Sequence, residues 1–162
     1  MPEMTTNTCV LLKEIESVFP FVEMPDENEL VFHENGCFEC DGLKNDLEDY
    51  RNKAITGKAI RLVHQELSSL SAKGWQWVLP HYLRFCLTPE AEYNRMETEF
   101  LIYSLRPSPE FEQETLLRLS LLDKEQINCL IHFLSWCENQ QHWKDYCLED
   151  IGRAQKFLSS IK

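Results

Sequence analysis

Leu70-Ser71-Ala72-Lys73-Gly74-Trp75-Gln76-Trp77-Val78-Leu79-Pro80-His81-Tyr82-Leu83 reads as a helix that carries its own start signal. Ser71 can cap it, because a serine oxygen accepts one of the amide protons that the first helical turn leaves unpaired. Beyond the cap, Trp75, Val78, Leu79, Tyr82, Leu83 and Cys86 recur at helical spacing and fall on one face. Pro80 lacks an amide and is expected to kink or restart the helix near its middle. The opposite face is also apolar, with Trp77 and His81 four residues apart and Arg84 beside them. A helix apolar on two sides is either buried all round or offers its second face to a partner.

Downstream, the signals repeat. Thr88-Pro89-Glu90 is a cap followed by proline at the first helical position, and it opens a helix carrying Met96, Phe100, Leu101 and Tyr103 to Leu105. Ser108-Pro109 starts another, through Phe111 to Leu119. Asp123-Lys124-Glu125-Gln126 has reciprocal capping-box spacing, and Ile127, Leu130, Ile131, Leu134 and Cys137 form the stripe that follows. His132 and Trp136 repeat the histidine–tryptophan pairing on that helix, with Cys129 alongside. A last amphipathic stretch runs from Cys147 to Ile161.

Upstream, Ile60, Val63, His64 and Leu67 make a shorter stripe after a break at Thr56-Gly57, and Asp41 can cap a polar helix reaching about Lys53. Leu30 to Glu34 and Cys37 to Cys40 flank Asn35-Gly36, a pair suited to a tight turn because both central residues take positive φ. A small β-hairpin over about residues 30–40 is therefore expected. A first helix from Thr6 to Phe19 places Val10, Leu11, Ile15 and Val18 on its inner face and ends at Pro20. The fold class is mainly α: a single helical domain over residues 1–162, a bundle of about six to seven helices with a small N-terminal hairpin.

Four stretches, in this order, resemble an uncharacterised bacterial family of small helical domains, a domain of unknown function. They are Cys37-Phe38-Glu39-Cys40, the Leu70 to Leu83 segment, Glu99-Phe100-Leu101-Ile102-Tyr103-Ser104-Leu105, and Leu122-Asp123-Lys124-Glu125-Gln126 leading to Phe133-Leu134-Ser135-Trp136. At Ala72 the chain departs from the proline of the family pattern. The resemblance implies a helical domain of the bacterial cytosol and carries no activity or ligand with it.

Composition bounds the rest. At 43% hydrophobic and 27% charged, the chain is too apolar for a disordered acidic protein. It has no apolar run long enough to span a membrane, and residues 1–9 lack the basic and apolar regions of an export signal, so a cytoplasmic, non-membrane protein is expected. Seven cysteines is an odd number, and Cys9, Cys86, Cys129, Cys137 and Cys147 fall in helical stretches at core-like positions, as reduced thiols do in the cytosol. A net charge of −11 argues against nucleic acid, which needs a basic surface. Residues 23–50 carry ten acids against Lys44, and residues 51–85 carry six bases against Glu66. These blocks either pair within the fold or leave an acidic patch that steers a basic partner.

Motifs for catalysis are sparse. There is no Gly-x-Ser-x-Gly elbow, no phosphate-cradling glycine-rich loop and no His-Glu-x-x-His helix. Glu48 with Asp49, and Glu97 with Glu99, read as carboxylates on solvated faces. The function expected is a non-enzymatic protein-binding or accessory domain, in the manner of an immunity or inhibitor protein, with Trp77, His81, Arg84, His132, Trp136, Glu48 and Asp49 as its partner-binding residues and no cofactor. The alternative lies in Cys37-x-x-Cys40 with His33 just before it: two thiolates at this spacing take adjacent corners of a zinc tetrahedron, and His33 supplies a third ligand. On that reading the chain is a zinc- or thiol-dependent enzyme or a metal-stabilised domain. A third reading is a structural homodimer that buries the second aromatic faces against a copy of itself.

Overall fold

The structure, a computed structural model, describes residues 2–33 and 36–161. Among these it contains eleven α-helices and two short 3-10 segments, and no strand. The helices are α1 (Pro2–Val18), α2 (Glu27–Leu30), α3 (Phe38–Glu48), α4 (Gly57–Val63), α5 (Ala72–Cys86), α6 (Pro89–Asn94), α7 (Met96–Ser104), α8 (Glu112–Arg118), α9 (Lys124–Glu138), α10 (Gln141–Tyr146) and α11 (Leu148–Ser159). The 3-10 segments are His64–Ser69 and Pro109–Phe111. None of the described helices is long and apolar enough to cross a membrane.

Two helices organise the core. α5 packs against α1, α2, α4, α6 and α8, and α9 packs against α1, α10 and α11. The stripe on α5 is inside as its spacing demands: Trp75, Val78, Leu79, Tyr82, Leu83 and Cys86 are all buried. Trp75 donates its indole N–H to Leu67 O at 2.9 Å, so its polar atom is satisfied while the ring adds roughly 1.5–3 kcal/mol of burial. Ser71 caps the helix, its Oγ accepting the Gly74 amide at 3.0 Å. α5 runs through Pro80 without restarting, because tertiary burial on both sides holds a helix that a lone proline would break. The capping box of α9 forms in both directions: Asp123 accepts the Gln126 amide at 2.8 Å, and the Gln126 side chain accepts the Asp123 amide at 3.0 Å.

The expected hairpin is not present among the described residues. Leu30 closes α2 and Phe38 opens α3, while Glu34 and Asn35, half of the expected turn region, lie outside the described residues. Val31 makes one antiparallel bridge to Leu70, flanked by Phe32 N–H to Ser69 O at 2.7 Å and Ser71 N–H to Leu30 O at 3.0 Å. A two-stranded ribbon is marginal by itself, and here the backbone of residues 31–32 finds better partners 39 residues away. Cys37, not Asp41, caps α3: its Sγ accepts the Cys40 amide at 3.3 Å.

The helix number also exceeds six to seven. The segment from Pro89 to Ser104 is two helices, since Arg95 takes the left-handed conformation at φ 65° and interrupts the pattern. α2 and α10 have too few residues to show a period. On α1, Leu11 and Ile15 are buried, but Val10 is 60% exposed and Cys9 is exposed, so the inner face is narrower than the stripe implied. Cys86, Cys129, Cys137 and Cys147 are buried and free, as core thiols.

Candidate metal centre

The bridge between Val31 and Leu70 decides where His33 goes. It pins the extended residues 31–32 along Ser69 to Ser71, which leaves His33 over the first turn of α3. There Cys37 and Cys40 stand one helical turn apart, so their sulfurs share a side. His33 Nδ1 lies 3.5 Å from Cys40 Sγ, and the ligand atoms of His33, Cys37 and Cys40 all fall within 4.8 Å of one another. This is the group of three or more histidine, cysteine or acidic residues placed to hold a metal among the described residues.

One of the three separations matches a zinc site. A tetrahedral ion with Zn–S about 2.3 Å and Zn–N about 2.0–2.1 Å sets S···N edges of roughly 3.5–3.6 Å and S···S edges of about 3.8 Å. The His33–Cys40 separation of 3.5 Å already has the first value. The exposures differ: His33 is exposed, Cys37 half-buried and Cys40 buried. Cys40 Sγ is otherwise 3.8 Å from Ser69 O and Cys37 Sγ 3.7 Å from the Glu39 carboxylate, both weak thiol contacts. Two thiols this close resist ionising together: the Cys37 thiol is pushed up chiefly by its hydrogen bond with Cys40, while the Cys40 amide pulls the other way. A divalent cation between the sulfurs removes that conflict.

Next to the centre a cavity of about 590 Å³ is walled by His33, Trp75, Tyr103, Arg106, Phe111 and Arg118, among others. Arg118 is 6% exposed, its guanidinium lying 4.2 Å over the Phe32 ring. Burial disfavours its charged form, and nearby Glu114 and Cys40 favour it. Arg106 sits with its Nε 2.8 Å from Asp150 and its guanidinium over Tyr103. Neither arginine stands out in the sequence as functional; the available signal for Arg118 is its position inside Leu116-Leu117-Arg118-Leu119, an apolar run that has no use for a cation.

The other residues expected to bind a partner occupy separate settings. Trp77 is buried. His81 stacks on Phe21 at 4.6 Å, and Arg84 lies 4.2 Å over the same ring while donating to Phe19 O and Pro80 O. Burial and then Arg84 hold His81 below the ordinary imidazole value. His132 Nδ1 meets Glu14 at 2.7 Å, and Trp136 donates its indole N–H to Thr8 at 3.0 Å and stacks on Phe133. Glu48 pairs with Arg51 at 3.3 Å, and Asp49 is exposed at the end of α3.

Glu97 corrects the reading of a solvated face. It is fully buried, 3.2 Å from Arg61 Nε, and its backbone carbonyl accepts the Tyr82 hydroxyl at 2.6 Å. Arg61 also reaches Glu90 at 2.8 Å, so this part of the basic block pairs with acids beyond residue 50. Between the two charge blocks, Lys73 meets Glu29 and Arg51 meets Glu48.

No curated protein and no solved structure matches the chain. A family model matches residues 39–153, a span that begins after His33 and Cys37 and takes in Cys40, Arg106 and Arg118. The chain thus belongs to a family of unknown function, DUF6714.

Proposed function

We propose that this chain is a zinc-binding domain, the ion held by His33 Nδ1 and the thiolates of Cys37 and Cys40. The observation that carries the reading is the convergence of these three donors within 4.8 Å, from two segments brought together by the Val31–Leu70 bridge. Three protein ligands with a fourth position for water or a ligand is the arrangement of reactive rather than purely structural zinc. His33 also lines the neighbouring cavity, so an ion held by it would stand beside a space where a small molecule fits. Bound there, zinc would act as a Lewis acid or lower the pKa of a coordinated water.

The test is the metal content of the protein purified without added metal, by elemental analysis. One zinc per chain is expected, together with its loss in the Cys37→Ser, Cys40→Ser double variant. Metal-free protein that also fails to take up added zinc, or a variant that keeps a full equivalent, contradicts the reading.

A second reading is supported by one observation. Every described acid of the block from Glu23 to Asp49 is exposed, and the cations found against them are Lys44, Arg51 and Lys73. An acidic surface of this kind recruits a basic protein partner by steering, with salt-sensitive binding. Charge reversal at Glu48 and Asp49 should slow association with such a partner; an association rate unaffected by both salt and reversal removes this reading.

A further inference from the structure

Arg118 is a charged side chain in the wrong place unless something joins it. It is 6% exposed, yet a guanidinium has five N–H donors, and no hydrogen bond to it occurs among the described residues. Its Nε is buried without a partner, and its ionic neighbour Glu114 stands at 3.6 Å, beyond hydrogen-bond reach. The Phe32 ring offsets part of the charge but accepts none of the in-plane donors. Buried polar groups in folded proteins are hydrogen-bonded, so an orphan of this kind asks for a missing acceptor.

That acceptor has room. Arg118 lines the cavity of about 590 Å³, a volume in the range of small-molecule sites. The same wall holds a second cation, Arg106, whose Nε lies 2.8 Å from Asp150 as an ion pair but makes no aligned hydrogen bond. Of the acids, Glu114 reaches the cavity from the half-exposed side of α8. Phe111 and Tyr103 are its exposed aromatic lining, with the edge of the buried Trp75 behind them. The recognition chemistry is therefore a planar or tetrahedral oxyanion for the guanidinium and a compact apolar body for the rings.

We propose that this cavity binds a small organic oxyanion, its carboxylate or phosphate group seated on Arg118 and its apolar body against the aromatic lining. Metal occupancy is not required: the seat is the arginine, and zinc at His33 would border the ligand rather than hold it. Arg118 costs the empty fold stability, since a buried cation with an unsatisfied donor is worse than an apolar side chain of similar length.

The test is a titration of the full chain with benzoate and with inorganic phosphate, followed by NMR on the arginine Nε–H signals and by thermal melting, against sodium chloride at matched ionic strength. A saturable shift of the Arg118 Nε–H signal is expected with at least one of the two anions, and which one responds decides between carboxylate and phosphate. Arg118→Met should melt above the wild type in anion-free buffer and lose the anion-induced rise in Tm, with affinity down roughly tenfold or more. Arg118→Lys, which keeps the charge and loses the fork, should bind weakly while folding normally. A wild-type response no different from chloride overturns the proposal, as does an Arg118→Met protein that retains anion stabilisation. The Cys37→Ser, Cys40→Ser variant should respond to anion like the wild type. If it alone loses the response, the anion is a metal ligand and the assignment to Arg118 is wrong, whereas failure of zinc binding with the response intact sinks only the metal reading.

Discussion

Gly74 shows how far a single position can bind two elements. A Cβ built there would stand 2.5 Å from the backbone oxygen of Leu30 and about 3.0 Å from Leu70, so the end of α2 rests directly on the first turn of α5. The same turn is held by Ser71, which accepts the Gly74 amide and donates its hydroxyl to Glu29 O. Backbone cannot yield as a flexible side chain can, and the neighbouring Leu30–Ser71 bond belongs to the bridge that places His33. Gly74→Ala should therefore destabilise the fold by roughly 1–3 kcal/mol despite alanine's better helix propensity. A urea midpoint equal to or above the wild type would show that α2 does not sit this close. Residue type alone concealed such contacts: the glycine is plain in the sequence, but nothing local says that its neighbour is Leu30. For the same reason Glu97 read as solvated, its partner Arg61 lying 36 residues earlier.

Elements were legible where a period and a cap agreed. α5 and α9 each combine a stripe several turns long with a side-chain cap, and both form with the expected faces inside. Asp123→Ala removes the cap of α9 and leaves the Gln126 amide unpaired, which should cost about 1 kcal/mol, within a range of about 0.5–2 kcal/mol. Chemical denaturation checks it, and a change near zero would mean that the packing of α9 against α1 and α11 makes the box redundant. The stretch around Cys37 misled for a physical reason. Short apolar runs on either side of Asn-Gly satisfy the local rules for a hairpin, but a ladder needs a second strand, and the competing sulfur cap drew Phe38 into a helix. That cap is also what turns the Cys-x-x-Cys spacing into a site, because one helical turn sets the two sulfurs side by side. The third donor, His33, was legible as a neighbour in sequence, but its distance was not, since the bridge to Leu70 sets it.

At the scale of the whole molecule the core is unusually rich in thiols. Cys86 is buried and pushed up to about 12 from an ordinary value of 9.0, chiefly by burial, and Cys137, with Cys86 and Cys147 as neighbours, is raised well above 9.0 for the same reason. Tyr82 is raised too, again chiefly by burial. The sign follows from which state loses its proton first. The unfolded chain ionises its thiols near 9.0, while the folded chain keeps the Cys86 proton until about 12. This part of the stability is intact below pH 9 and declines as pH rises from about 9 to about 12, by about 1.4 kcal/mol per pH unit for each such thiol. Urea unfolding under reducing conditions should thus show a lower midpoint at about pH 10 than at about pH 7. A smaller loss in Cys86→Ala would assign its share, and an unchanged midpoint in the wild type would mean these thiols are not held in a dry core.

The architecture, two long helices framing a thiol-rich core, leaves half-buried Cys37 and buried Cys40 as the pair of thiols that stands beside a histidine. Titration of the metal-free, reduced protein with cobalt(II), read by absorption spectroscopy, tests that arrangement directly. One equivalent should produce the visible bands of tetrahedral cobalt with charge-transfer absorption from two thiolates, displaced by one equivalent of zinc and weakened when His33→Ala removes the nitrogen ligand. A spectrum that stays that of hydrated cobalt, or one unchanged by Cys37→Ser with Cys40→Ser, would contradict it.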